Sequence, residues 1–189
     1  MIKVTLLGDS IRQGYGKRVS ELLGDGFEVF QPEDNCRFAQ YMLRGLFDWK
    51  DAMADSQIVH WNCGLWDVCD LFGDGAFTAE KEYIDTVLRI ARLLLRQHEA
   101  VIFATTTPVD PRNPYNKNEV IARYNQLVVP RLQQLGVLID DLYGLAEPHI
   151  DTYIRKDDLL HLTDAGAEAA AAQVAESIRA AAARLKVEG

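Results

Sequence analysis

The chain of 189 residues is short of several things, and each shortage excludes a class of protein. No apolar run approaches the roughly 20 residues that a membrane-spanning helix needs. Basic residues are outnumbered, 20 Lys and Arg against 28 Asp and Glu, for a formal charge of −8. That balance argues against nucleic acid and anionic membranes as partners, because both demand a surplus of cations. Cysteine is scarce and odd in number: Cys36, Cys63 and Cys69 fit reduced thiols better than a disulfide framework. None of their spacings matches a common zinc pattern, and the four histidines lie far from a Cys pair, so no metal is expected. Met1-Ile2-Lys3-Val4 opens directly on strand-forming residues, leaving no room for a cleavable leader. The expected location is cytoplasmic, although a mature chain with its leader removed would read the same.

What is present alternates. Short, nearly continuous apolar runs at Ile2–Leu7, Phe27–Phe30, Ile58–Trp61, Ala100–Ala104 and Val137–Ile139 predict strands buried on both faces. Helical spacing fills the gaps between them. Phe77–Arg96 carries an N-cap signal at Thr78 and apolar residues at Ile84, Val87, Leu88, Ala91 and Leu94. Glu119–Leu135 repeats the spacing, is closed by Gly136, and should bend at Pro130. From Thr163 to about Leu185 an Ala-rich helix shows a stripe through Ala167, Ala171, Val174 and Ile178. Strands alternating with helices imply right-handed βαβ units, and so an α/β fold: a three-layer α/β/α, flavodoxin-like arrangement with a parallel five-stranded sheet. No linker or repeat divides it, so residues 1–189 are read as one domain.

In such sheets ligands sit beyond the carboxyl ends of the strands. The first strand ends on Gly8-Asp9-Ser10, which could be a plain turn or the presentation of a nucleophile. "RKDDLLHLTDAG", just before the last helix, supplies Asp158 and His161 three residues apart. A serine hydroxyl needs a base to take its proton, and imidazole suits neutral pH. The imidazole in turn needs a carboxylate to fix its tautomer. Ser10 at a helix start would also offer its N–H and the helix dipole to an oxyanion. Asp157 is the other acid available to orient His161. Gly14-Tyr15-Gly16-Lys17 fails both the Walker and the dinucleotide patterns, so no phosphate loop is expected.

Gly8-Asp9-Ser10 near one end and Asp158-Leu159-Leu160-His161 near the other together resemble the GDSL/SGNH hydrolase family. "ATTTPVDPRNPYNKNEVIARYN" resembles the family's fourth-strand region. The resemblance implies a flavodoxin-like fold and Ser-His-Asp catalysis without a cofactor. It also implies esters or thioesters as substrates, among them acetyl groups on carbohydrates. Two blocks depart from the family pattern. At the second block's Gly, whose N–H enters the oxyanion hole, this chain has Cys36. The third block reads Gly64-Leu65-Trp66-Asp67 where the family has Gly-x-Asn-Asp, and the nearest amide is Asn62. The expected oxyanion donors are therefore Ser10, Cys36 and Asn62.

Arg37, Trp66 and Tyr115 are candidate substrate-binding residues. His60 is expected in the core, His98 exposed and His149 in a loop, while Asp9 shapes the turn. The expected activity is that of a serine esterase on short-chain acyl esters, acetyl included, of a small polar or carbohydrate alcohol. An acyl transferase using the same residues, a non-catalytic binding domain and a flavin or nucleotide binder are the alternatives. The expected partner is a small acyl ester alone, and the sequence leaves the oligomeric state open.

Overall fold

Five parallel strands run in the order β2-β1-β3-β4-β5, so the chain steps outward from β1 to one edge and then back across to the other. The computed structural model describes residues 1–188, with side chains through residue 185; residue 189 of the expected domain lies outside them. The strands are β1 (Ile2–Leu7), β2 (Phe27–Phe30), β3 (Ile58–Trp61), β4 (Ala100–Ala104) and β5 (Leu138–Asp140). The first four coincide with the apolar runs, and the fifth is displaced by one residue. All four residues of β3 are buried, as a central strand covered on both faces must be.

The helices form two groups. α1 (Ser10–Leu23) packs on α8 (Asp164–Glu188), and α4 (Glu80–Leu95) packs on both α2 (Ala39–Asp48) and α5 (Asn118–Gln134). The stripe expected on α8 is buried at Ala167, Ala171, Val174 and Ile178. Shorter helices α3 (Lys50–Met53), α6 (Leu142–Ala146) and α7 (Ile150–Tyr153) complete the connections. The fold is the three-layer α/β/α type expected.

Local expectations needed correction at two points. Thr78 does not cap α4, which begins at Glu80 with no side-chain cap. Its hydroxyl bonds to the buried Asp67 carboxylate, and its N–H donates to the Asp67 carbonyl at 2.9 Å. His98 is buried rather than exposed, because the Ser56 carbonyl bonds its Nδ1 at 2.7 Å. Two other histidines lie where expected: His60 is in the core, 2.9 Å from Asp140, and His149 is exposed at the end of a 3₁₀ turn. Pro130 lies on the solvent side of α5, and the helix continues through it to Gln134.

Order 2-1-3-4-5 reverses direction between β1 and β3. That is where the crevice of an open α/β sheet lies.

Candidate active site

β1 delivers the chain to the switch point, and three residues turn it into α1. Gly8 is required there by close approach: a Cβ would lie 1.9 Å from Asn62 Oδ1 and 2.6 Å from Arg12 Cβ. Asp9 caps the helix, its Oδ1 accepting from Ile11 N–H at 2.9 Å. Burial pushes the Asp9 carboxyl above its ordinary range, against the lowering effect of Asn62, Ile11 N–H and Arg12. The Gly8 carbonyl is held by the Cys36 N–H at 3.0 Å and by the buried Arg12 guanidinium at 3.3 Å. Arg12 also donates to the Asp34 carbonyl at 2.8 Å, tying this turn to the loop after β2.

Ser10 is thereby placed as the first residue of α1, with its backbone N–H unengaged among the described residues. Its Oγ lies 2.8 Å from His161 Nε2. His161 Nδ1 lies 3.1 Å from Asp158 Oδ2. The other oxygen of Asp158 accepts the N–H groups of Leu160 at 3.0 Å and His161 at 2.9 Å, so one carboxylate shapes the turn and faces the imidazole. Partial burial works against ionisation of Asp158. The two N–H bonds and the imidazole outweigh it, and the carboxyl is held below the usual range. The loop is closed at its base by an antiparallel bridge, Ile154 to Leu162. Asp157 is turned to Arg155 instead, at 2.9 Å.

These groups open onto a cavity of about 430 Å³ whose walls include Leu65, Trp66, Leu71, Tyr115 and Leu160. A groove of about 940 Å³ between α2, α3 and α4 is larger, but its lining holds no serine, cysteine or histidine. Chemistry rather than volume marks the smaller one.

The remaining sequence candidates divide. Trp66 and Tyr115 do line the cavity, about half exposed. Arg37 does not; it is exposed, and its guanidinium lies over the Tyr41 ring at 4.8 Å. Cys36 is also corrected as an oxyanion donor, since its N–H is spent on the Gly8 carbonyl and its Sγ accepts from the Gly8 N–H. Asn62 is outside the cavity lining, and its Nδ2 donates to Asp9 Oδ1 at 3.1 Å. It braces the helix cap.

Among the cavity residues missed from sequence are two amides. Asn35 accepts from Arg37 N–H through Oδ1 at 2.8 Å, which leaves its Nδ2 the free end of the amide. Asn116 donates to the Leu65 carbonyl at 2.8 Å. Asn35 stands directly before Cys36 in the second block, so a search for any amide in that block would have found it. Among the described residues, no cluster of three metal-ligating side chains exists, and no helix is long and apolar enough to cross a membrane.

No family model and no curated protein matches the chain. Solved structures do. An acetyl xylan esterase superposes with a TM-score of 0.78 at 19% identity, covering 94% of this chain and 100% of that one. A lipase/acylhydrolase from Enterococcus faecalis gives 0.77 at 19%, covering 95% and 96%. A GDSL-like lipase from Bacteroides thetaiotaomicron gives 0.68 at 18%, covering 95% and 88%. The chain has the GDSL/SGNH hydrolase fold. At these identities the likeness speaks for the fold, and the chemistry has to be argued from this chain's own residues.

Proposed function

We propose that this SGNH-fold chain is a serine ester hydrolase that works through an acyl-enzyme. The observation that carries the reading is the continuous contact from Ser10 Oγ to His161 Nε2 and from Nδ1 to Asp158. In this reading Ser10 attacks the ester carbonyl as His161 takes its proton. Asp158, held ionised, keeps Nε2 unprotonated toward Ser10 and stabilises the imidazolium as it forms. His161 then protonates the leaving alcohol. Water enters by the same route in reverse, and the carboxylic acid leaves.

The tetrahedral oxyanion needs donors. The Ser10 N–H, at the positive end of the 14-residue helix α1, is one. The Asn35 Nδ2, left free inside the cavity, is the amide proposed in place of Asn62. That Structural neighbours include acetyl xylan esterases fits a short acyl group on a polar alcohol. The apolar walls here give room beyond an acetyl.

The test is hydrolysis of p-nitrophenyl acetate, butyrate and octanoate by the wild type and by Ser10→Ala. Turnover of the short esters that vanishes in a folded Ser10→Ala protein is expected. Turnover retained by that variant contradicts the reading.

A further inference from the structure

Between Asp158 and His161 one residue has an unusual backbone. Leu159 has φ 63°, the left-handed region, which disfavours a non-glycine residue by about five- to thirtyfold in population. The twist matters because it accompanies the turn in which Asp158 Oδ1 meets the Leu160 and His161 N–H groups while Oδ2 meets the imidazole. Something outside the turn must hold it.

The Leu159 carbonyl accepts two bonds from the β4–α5 loop, the Asp110 N–H at 3.1 Å and Asn113 Nδ2 at 3.2 Å. Asn113 is only 3% exposed, and its other end is equally engaged. Its Oδ1 accepts from Tyr115 N–H at 3.0 Å and Asn116 N–H at 2.8 Å, the two residues that form that loop's part of the cavity wall. From there the Asn116 side chain reaches the Leu65 carbonyl, and the Tyr115 carbonyl accepts from Asp70 N–H at 2.8 Å. A single buried amide thus joins the histidine loop to the wall of the cavity.

We infer that Asn113 is a positioning residue, one that holds Leu159 left-handed so that Asp158 and His161 converge on Ser10, and that fixes the wall opposite through Tyr115 and Asn116. The inference rests on the hydrolase reading above. Asn113 touches no substrate; it acts through the Leu159 carbonyl.

Steady-state kinetics with p-nitrophenyl butyrate test it on the full chain. Asn113→Asp retains an acceptor for Tyr115 and Asn116 and replaces the donor facing Leu159. The expected result is a kcat lowered about tenfold or more with KM within about threefold. Adding Leu159→Gly to that variant should recover most of the lost kcat, since glycine enters the left-handed region freely. A role in stability alone would lower the melting temperature without that rescue. Wild-type kcat in Asn113→Asp, or a loss that Leu159→Gly leaves in place, overturns the inference. Should Asn113→Asp fail to fold, Leu159→Ile against Leu159→Gly decides. A β-branched residue resists this conformation, so about tenfold lower kcat for Ile is expected, and equal kcat overturns the inference. A wild type without Ser10-dependent turnover overturns the hydrolase reading itself, a different and separable failure.

Discussion

Asn35 and Asn62 show what one hydrogen bond decides. Both are amides near Ser10, and a count along the sequence favours Asn62, at the end of β3. The fold gives the Asn62 Nδ2 to Asp9, while Asn35 lines the cavity with its Nδ2 unengaged among the described residues. If Asn35 is the side-chain oxyanion donor, Asn35→Ala should lower kcat on p-nitrophenyl acetate by about 10²- to 10³-fold. Its melting temperature should hardly move, because Asn35 is only half-buried. Full activity in Asn35→Ala would return the role to another donor. Ser10, Asp158 and His161, which the fold brings into contact, could be singled out as candidates from sequence because the proposed nucleophile, base and orienting acid require those residue types at element ends. The proposed donor was legible only as one amide among several, because any N–H can serve, and which ones are unengaged depends on contacts between loops. Cys36 illustrates the second case, its N–H being taken by a carbonyl 28 residues earlier in the chain.

At the level of elements, hydrophobic pattern located β1 to β4 to the residue, although only β3 is buried along its whole length and the edge strand β2 leaves Glu28 exposed. Helix starts were less legible. Thr78 has the right chemistry for a cap, but the buried Asp67 competes for its hydroxyl and wins. Asp67 also accepts the Ala39 N–H at the start of α2, at 3.2 and 3.1 Å to its two oxygens, and so ties the loop after β3 to two helices. Burial raises its pKa to about 7. The sign follows directly: a carboxyl near 4 when unfolded and near 7 when folded binds more protons in the folded state between those values. Its contribution to stability is therefore present at low pH and is lost as pH rises toward 7. Asp67→Asn stays neutral and can still accept from Ala39 N–H. Denaturant titrations at several pH values should show the variant gaining on the wild type by roughly 1–3 kcal/mol between pH 4.5 and 7.5. A difference independent of pH would show that Asp67 ionises normally in the fold.

Across the whole molecule, the sheet order brings opposite ends of the chain together. Ser10 follows the first strand and His161 precedes the last helix, 151 residues apart, yet they meet at 2.8 Å. α1, which starts at Ser10, packs on α8, which follows the His161 loop, and this contact supports the junction. The fold class was legible because alternation of strand and helix patterns admits few topologies. The cavity walls at Leu71, Asn116 and Leu160 were not, since they come from three separate loops with no shared period. In the proposed mechanism His161 activates Ser10. Its most direct measurement is the rate of covalent labelling by a p-nitrophenyl alkylphosphonate, read by intact mass and peptide mapping in the wild type and in His161→Ala. A single adduct on Ser10 is expected in the wild type, formed at least about a hundredfold more slowly in His161→Ala. An adduct on another residue, or equal rates in the two proteins, would contradict it.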